Sequence, residues 1–346
     1  MIKPWIFELF GTPGGGRGGP PIEPRVASEH FTWHLDLWRR AEGWGFEGIF
    51  FSEHHFGLGY SPSPNLLIAS VARTTKTLRL GVMGVVLPYY QPWRVVEEIG
   101  MLDHLTGGRL EIGTASGIPQ EMARVGLSVE EANARAAEAI EILDAALASP
   151  VISHHGRFWN FDDLTIEPRC LQQPSPPKWT TVVSIESARK AARRRSKLCT
   201  GFHPIDRIGE IFDAYREEAA RAGWRAGPDD LAIRRNITLA PDQAQAEEAS
   251  RKALALYRQA LKHDPRFTDS PVPDAPGPTH GFSVGEDEFV AGTGERAAEE
   301  IIRQCRRVGA GHFLSTVDRS APKEQRMATF EIYARHVIPA LRQASV

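Results

Sequence analysis

Short apolar runs alternate along the chain with longer segments in which apolar residues recur at helical spacing. Phe31, Leu35 and Trp38 show the first helical stripe, and Gly48–Ser52 is an apolar run bounded by polar residues. Runs of this length are typical of buried strands, whereas a spacing of three or four residues is typical of amphipathic helices. The pattern predicts strands at Trp5–Phe10, Gly48–Ser52, Leu78–Leu87, Arg109–Thr114, Trp179–Ser184, Leu198–Phe202, Leu231–Leu239 and Gly311–Thr316. It predicts helices at His30–Glu42, Leu66–Thr74, around Val95 to Leu102, after a capping box at Ser128 and Glu131, and at Ser187–Arg195, Asp206–Ala222, Gln243–Leu261, Arg296–Val308 and around Met327 to Leu341.

The order of these elements predicts the fold class. Strands that alternate with helices run parallel, because each helix returns the chain to the start of the next strand. With no break in composition, the chain is expected to be one α/β domain over residues 1–346, a (β/α)8 TIM barrel. Insertions are expected at about 151–177, with a hairpin at His155–Arg169, and at about 262–290, where Lys262–Gly281 has no period and is interpreted as a loop that could act as a lid.

The charge and composition of the chain limit the kinds of partner that we expect it to bind. The formal net charge of -2 gives no global field to hold nucleic acid or anionic lipid, so we expect a small-molecule partner, no nucleic acid and no membrane. No stretch of 18 residues is uniformly apolar. The three cysteines are far apart and form no CxxC pair, which favours reduced thiols and a cytoplasmic location.

Three motifs look like functional sites but have simpler interpretations. Gly14–Gly19 satisfies GxGxxG, but prolines follow it and no helix begins, so we interpret it as a loop rather than a dinucleotide site. The basic run Arg189–Lys197 is typical of a solvated helix face, although one of its arginines could neutralise a phosphate. His154 and His155 have no third ligand at metal-binding spacing, so no metal site is predicted.

Polar residues at strand ends are the candidates for chemistry, because catalytic groups of parallel barrels lie at the carboxyl ends of the strands. Glu53, His54 and His55 directly follow the second strand. Histidine titrates near neutral pH and can serve as an acid, a base or a hydrogen-bond donor. The alternative is a pair of structural histidines.

Further candidates follow other strands. Thr114 and Ser116 follow the fourth strand and offer hydroxyls beside small residues. Ser187 lies near a helix amino terminus, where it could help bind a phosphate or could simply cap the helix. Gly84 inside the third strand suggests that another group approaches the backbone closely.

Taken together, four segments resemble successive motifs of the bacterial-luciferase-like flavin monooxygenases. They match in order and spacing, as does the last helix at Glu331–Leu341, and the resemblance covers nearly the whole chain. The segments are SEHHF at Ser52–Phe56, LGVMGVVLP at Leu80–Pro88, LDHLTGGRLEIGTASG at Leu102–Gly117 and QPSPPKWTTVVSIESA at Gln173–Ala188.

The resemblance implies roles for individual residues. His54 matches the family's catalytic histidine, which assists the oxygen chemistry of the flavin, with Glu53 and His55 as supporting groups. Met83 and Gly84 match a strand-end pair, often joined by a cis peptide, that lies under the flavin ring. The phosphate end of the cofactor corresponds to the segment Glu186, Ser187 and Ala188.

Two positions depart from the luciferase pattern. Ala115 replaces a reactive cysteine, and Ser116 replaces a phosphate-binding arginine. Light emission and the luciferase's phosphate contacts are therefore not carried over.

The resemblance implies an enzyme that oxidises a small organic substrate with reduced FMN and dioxygen. A separate flavin reductase would supply the reduced FMN, and the chain would form a homodimer through the helices that follow the second and third strands. Candidates to line an apolar pocket are Trp5, Phe7, Phe56, Tyr89 and Tyr90. The alternatives are a deazaflavin-dependent oxidoreductase of the same superfamily, a non-catalytic flavin-binding protein and, more distantly, a metal-dependent barrel hydrolase.

Overall fold

A computed structural model describes residues 1–13, 20–57, 59–262, 286–319 and 321–346. The predicted loop at Gly14–Gly19 lies outside these residues, as does the predicted lid at Lys262–Gly281 apart from Lys262. The strands are β1 (Lys3–Glu8), β2 (Gly48–Phe51), β3 (Arg79–Val82), β4 (Val85–Val86), β5 (Leu110–Ala115), β6 (Val151–His155), β7 (Asn160–Thr165), β8 (Lys178–Thr181), β9 (Lys197–Thr200), β10 (Leu231–Leu239), β11 (Phe289–Gly292) and β12 (His312–Val317).

Most helices lie at the predicted positions, but the first begins at Pro24 rather than at His30, and the short helix at Pro119–Arg124 was not predicted. The helices are α1 (Pro24–Trp44), α2 (Pro64–Ala72), α3 (Pro92–Thr106), α4 (Pro119–Arg124), α5 (Val129–Ala148), α6 (Ile185–Arg193), α7 (Ile205–Arg221), α8 (Gln243–Lys262), α9 (Gly294–Val308), α10 (Lys323–Ile332) and α11 (Ile338–Gln343), and a π-helical turn at Tyr333–Val337 joins the last two. Within the described part of the chain, none of these helices combines the length and hydropathy needed to cross a membrane.

The strands form a closed parallel barrel, which confirms the predicted fold class. Their hydrogen-bonded order is β11, β10, β12, β1, β2, β3, β5, β8 and β9, and β9 also pairs with β10, so the ring of strands closes. The predicted third strand at Leu78–Leu87 is wrong in one respect, because β3 ends at Val82 and a separate β4 pairs with β5. The sequence pattern did not predict β11, which pairs with β10.

By its internal contacts the chain divides into two compact units. The first comprises Met1–Leu9, Arg40–Ile49 and Thr180–Val346, and the second comprises Phe10–Arg39 and Phe50–Trp179. The single domain predicted from the sequence stays a prediction. Each unit has its own buried side chains, with Trp5 and Phe313 in the core of the first.

A buried ionic cluster anchors the turn at Glu286–Glu288, directly before β11, in the first unit. Glu288 is fully buried and forms ion pairs with both Arg234 and Arg235 of β10, the second at 2.9 Å. Its carboxylate also accepts the backbone N–H of Phe202 at 2.8 Å and the side chain of Asn236 at 3.1 Å. Burial lowers the pKa of the Arg235 guanidinium, and the charge of Glu288 opposes that effect. One carboxylate therefore pairs with two buried arginines, although Arg235 Nη2 has no hydrogen-bond partner among the described residues.

A single carboxylate also fastens the hairpin of the second unit. β6 and β7 pair antiparallel, which confirms a hairpin, although it begins at Val151 rather than at His155. Glu138 of α5 accepts the backbone N–H groups of Arg157, Phe158 and Trp159 at 2.9–3.1 Å. His154 Nε2 lies 3.2 Å from the same carboxylate. These hydrogen bonds lower the pKa of Glu138, against the effect of its burial.

Replacement of Gly100 by alanine is expected to destabilise the protein by about 1–3 kcal/mol. An added Cβ at this position in α3 would overlap the carbonyl oxygen of Pro168. Gly43, on an exposed part of α1, meets nothing within 4 Å and serves as the matched control. There the change to alanine should stabilise by about 0.5–1 kcal/mol, because glycine is a poor helix former. Urea denaturation of both variants checks the pair, and equal effects at the two sites would contradict the close packing of Gly100.

Candidate active site

The segment after β2 is held by a buried carboxylate. Glu53 is 4 % exposed, and its Oε1 lies 3.0 Å from His55 Nε2 and accepts the Tyr90 hydroxyl at 3.1 Å. Its Oε2 accepts the backbone N–H of Val86 at 3.3 Å. Both oxygens of Glu53 are thus used within the protein. The hydrogen bond with Glu53 raises the pKa of His55, burial opposes this, and the charges of Glu53 and Glu121 add to it.

His54 has a carboxylate partner of its own, Glu121 of α4. Glu121 Oε1 lies 3.2 Å from His54 Nδ1 and accepts the backbone N–H of His55 at 2.8 Å. The Glu121 side chain is 1 % exposed and that of His54 is 24 % exposed. Among the described residues, Glu121 Oε2 has no hydrogen-bond partner. The imidazole of His54 is therefore held by one nitrogen at the end of a strand.

Two tyrosines complete this group. A short 3-10 turn at Leu87–Tyr89 follows β4 and leads into Tyr90. The Tyr89 and His55 rings form a T-shaped pair with 5.3 Å between their centroids. Burial raises the pKa of Tyr89 to about 12, and the charges of Glu121 and Glu53 act in the same direction. Burial and the carboxylate of Glu53 also raise the pKa of Tyr90. Both phenols therefore stay protonated at neutral pH.

A cavity of about 350 Å³ opens beside His55 in the second unit. Its walls are mostly apolar, and His55, Tyr89 and Arg135 are the lining residues with polar groups. The residues that line it are His55, Phe56, Pro88, Tyr89, Val125, Leu127 and Arg135. Of the five residues predicted to line a pocket, Phe56 and Tyr89 do so. Tyr90 contacts Glu53 instead. Trp5 is buried in the core, and the Phe7 ring lies 5.9 Å from the Arg234 guanidinium.

The junction between β3 and β4 carries the predicted cis peptide. The bond between Met83 and Gly84 is cis, and Met83 N donates to Phe51 O at 2.9 Å. A Cβ on Gly84 would lie 2.6 Å from backbone atoms of Thr114. The close approach expected at Gly84 is therefore that of β5, whose Thr114 is buried and whose neighbour Ser116 is half-buried. Met83, Gly84 and Thr114 are brought together by strand packing.

The amino terminus of α6, in the first unit, is capped by Ser184 rather than by Ser187. The Ser184 hydroxyl accepts the backbone N–H of Ser187 at 3.2 Å, and the two hydroxyls lie 2.9 Å apart. Glu186 is exposed and Ala188 is fully buried. Ala188 N–H donates to Ser184 O at 3.1 Å, so among the described residues of the first turn the N–H groups of Ile185 and Glu186 are the ones left to face an anion.

The structure brings Glu53, His54 and His55 together with a residue that the sequence analysis missed. Glu121 follows β5 at the start of a short helix, and Pro119 at the first position of that helix is the local signal for it. A strand-end loop followed by a helix-starting proline and an acidic residue could have marked Glu121 as a candidate. The pairing with His54 could not be predicted, because it joins the loops of two different strands.

Comparisons with known proteins agree with the closed barrel and identify its family. The profile of the luciferase-like monooxygenases matches residues 9–312. The chain is 38 % identical over 335 residues to 4-hydroxyprotoasukamycin monooxygenase of Streptomyces nodosus subsp. asukaensis. The matched region covers 88 % of this chain and 87 % of that protein. It is 26 % identical over 325 residues, 90 % of both chains, to the oxygenase component of flavin-dependent trigonelline monooxygenase from Acinetobacter baylyi. The crystal structure of monooxygenase RslO1 from Streptomyces bottropensis superposes with a TM-score of 0.79 and 25 % identity over 98 % of this chain and 99 % of that one.

These matches define the class as an oxidoreductase with a TIM-barrel fold. The chain belongs to the luciferase-like monooxygenase family.

The ion pair of His55 with Glu53 is expected to make stability depend on pH. Because the folded pKa of His55 is raised above its ordinary value of 6.5, the contribution is fully present below that value and is lost as pH rises through the folded pKa. The difference in unfolding free energy between the wild type and His55→Gln should therefore be largest in mildly acidic buffer. Urea denaturation from about pH 5.5 to about pH 8.5 spans that window. A difference that is flat or grows with pH would contradict the pairing.

Proposed function

We propose that this chain is the oxygenase of a two-component system that oxidises a small organic substrate with reduced FMN and dioxygen. A separate flavin reductase would supply the reduced FMN. The family supports this proposal, as does the flavin-dependent oxygenase component to which the chain is similar. The observation that carries it is His54, a partly exposed imidazole held at a strand end by a buried carboxylate.

The residues at the strand ends of the second unit fit a flavin ring, which presents carbonyl oxygens and N–H groups to a protein. Three of the buried polar atoms that have no hydrogen-bond partner among the described residues lie in this region: Ser52 Oγ, Tyr89 Oη and Glu121 Oε2. They supply both donors and acceptors. We assign Met83, Gly84, Thr114 and Ser116 to contacts with the ring. When bound, reduced FMN supplies the electrons that activate dioxygen.

The amino terminus of α6 in the first unit fits a phosphate. Glu186, Ser187 and Ala188 lie in the first turn, where the helix dipole and the first backbone N–H groups favour an anion, although Ser184 accepts those of Ser187 and Ala188. Arg189 follows in the next turn, and among the described residues its buried Nε has no partner. We assign this turn to the phosphate of the cofactor.

The residues of the site have different roles in the proposed reaction. His54 holds or releases a proton at Nε2, which makes no hydrogen bond to another described residue, while Glu121 holds its Nδ1. Glu53 holds His55 and Tyr90 in place. The open pocket beside His55 offers mostly apolar walls to a substrate. His54 is the catalytic acid or base in this proposal, with Glu53 and His55 as supporting groups.

The assembly proposed for the chain is a homodimer, with all 346 residues acting as one domain in the cytoplasm. Exposed apolar side chains on α2 and α3 support the dimer: Leu66 is 69 % exposed, Met101 54 % and Leu105 43 %. Helix faces of this kind are typical of subunit contacts. Sedimentation velocity should show one species of twice the chain mass, and a monomer at all concentrations would reject the dimer.

The experiment that tests the function is a parallel titration of the flavin-free protein with oxidised FMN, with reduced FMN under anaerobic conditions and with reduced deazaflavin. Tight binding of reduced FMN, followed on mixing with oxygen by a flavin absorbance distinct from the reduced and oxidised forms, is the expected result. Preference for deazaflavin without an oxygen-dependent signal would reject the monooxygenase in favour of a hydride-transferring enzyme. Binding of FMN with no effect on its oxidation would leave a flavin-binding protein.

A further inference from the structure

Glu121 is a buried carboxylate that touches both histidines of the site. We infer that Glu121 is the positioning residue of His54 and fixes its neutral imidazole in the tautomer that carries the proton on Nδ1. The role of this tautomer in catalysis rests on the proposed function, but the tautomer itself is a property of the protein alone. The inference follows from which groups can donate to Glu121 Oε1.

Glu121 Oε1 already acts as an acceptor towards the protein backbone. The N–H of His55 donates to it at 2.8 Å, and an amide N–H can only donate. His54 Nδ1 lies 3.2 Å from the same oxygen. If that nitrogen carried a lone pair, two acceptors would face each other in a buried place, which is unfavourable. A proton on Nδ1 turns the contact into a hydrogen bond.

The adjacent histidine is held in the opposite way. Glu53 contacts His55 through Nε2 at 3.0 Å, so the proton of neutral His55 lies on Nε2. Two neighbouring histidines are thus fixed in opposite tautomers by two carboxylates. His54 keeps Nε2 as its acceptor atom, and His55 keeps Nδ1. A carboxylate that holds one ring nitrogen in this way is a common means of orienting a functional histidine.

Close packing also limits the position of the His54 ring. An added Cβ on Gly59 would lie 2.7 Å from His54 Cβ, so the Gly59 backbone packs closely against the Cβ atom of His54. The backbone N–H of His54 donates to Ser61 O at 3.4 Å. The Cβ atom and the Nδ1 atom of His54 are therefore both held in place, as a positioned acid or base requires.

Histidine tautomers can be read directly by nitrogen NMR of the full chain labelled with ¹⁵N-histidine. The flavin-free protein is studied in buffer alkaline enough to keep the imidazoles neutral, and His54→Asn and His55→Asn assign the two rings. We expect the proton of His54 on Nδ1 and that of His55 on Nε2. A wild-type His54 with its proton on Nε2 would overturn the inference without any variant.

Two substitutions of Glu121 separate positioning from a general structural role. Glu121→Ala removes the acceptor, so His54 should change to the Nε2–H form that free imidazoles favour, while His55 keeps its tautomer. Glu121→Gln retains an acceptor oxygen and should retain the Nδ1–H form. If Glu121→Ala leaves His54 unchanged, the assignment of Glu121 is wrong. Should Glu121→Ala fail to fold, the wild type and Glu121→Gln still decide the question.

Activity gives an independent second result. Loss of a group that orients a functional histidine lowers activity by about 10- to 100-fold. We expect a loss of that size for Glu121→Ala and a smaller loss for Glu121→Gln. The expected tautomers without flavin-dependent oxidation would reject the proposed function alone. Oxidation by a protein whose His54 carries its proton on Nε2 would reject the role of Glu121 alone.

Discussion

Replacement of His54 by asparagine should slow substrate oxidation by about 10²- to 10⁴-fold, the usual contribution of a general acid or base. Binding of reduced FMN should change much less than the oxidation rate, because His54 is not among the residues assigned to contacts with the flavin ring or the phosphate. Asparagine keeps a short polar side chain but cannot exchange a proton at neutral pH. The measurement is the rate of product formation from the first compound that the wild type oxidises in a panel of small ketones, aldehydes and phenols, with photoreduced FMN and oxygen.

His155→Asn is the matched control for this experiment. His155 lies in the hairpin with its side chain 66 % exposed and is paired with Asp162. The same substitution there should leave the oxidation rate at the wild-type value. A full rate in His54→Asn, or equal losses in both variants, would remove His54 from the chemistry.

Replacement of Glu288 by alanine should lower the free energy of unfolding by about 3–5 kcal/mol, because removal of one partner leaves buried charges without compensation. The side chains of Arg234 and Arg235 are 5 % and 0 % exposed, and Glu288 is the carboxylate that pairs with both. The variant would also leave the backbone N–H of Phe202 without its acceptor. Glu288→Gln keeps the shape and should lose less. Urea denaturation followed by circular dichroism measures both changes.

Glu299 offers the control for this loss. It is an exposed glutamate on α9, so Glu299→Ala should change the free energy of unfolding by no more than about 0.5 kcal/mol. If Glu288→Ala is as mild as Glu299→Ala, the cluster does not hold the segment before β11. A large loss confined to Glu288 would identify this cluster as a main source of stability in the first unit.

The fold was predictable from the sequence because hydrophobic periodicity is a local signal. The prediction of β10 at Leu231–Leu239 is confirmed residue for residue. The break between Val82 and Val85 was not predicted, because apolar residues continue through it and periodicity does not record the isomer of a peptide bond. The short β11 was missed, since a strand of four residues beside an irregular segment gives too little pattern.

The candidate site was predictable in part. Glu53, His54 and His55 were marked by their position after a strand, and the structure places Glu53 and His55 in contact. Glu121 was missed because it meets His54 across 67 positions of sequence, and such a contact depends on packing rather than on local pattern. The cap of α6 was assigned to Ser187 as one alternative, but Ser184 provides it, because the helix begins two residues earlier than predicted.

Glu138 makes the hairpin of the second unit a replaceable module. The tip of the hairpin is attached to α5 through successive backbone N–H groups of Arg157, Phe158 and Trp159, which any sequence of non-proline residues can supply. A protein engineer could therefore exchange the exposed residues of this hairpin, as long as Glu138, the turn that offers those N–H groups and the buried Ile152 and Trp159 are kept. Because backbone N–H groups make most of the attachment, the exposed side chains of the hairpin can be changed to create new binding properties.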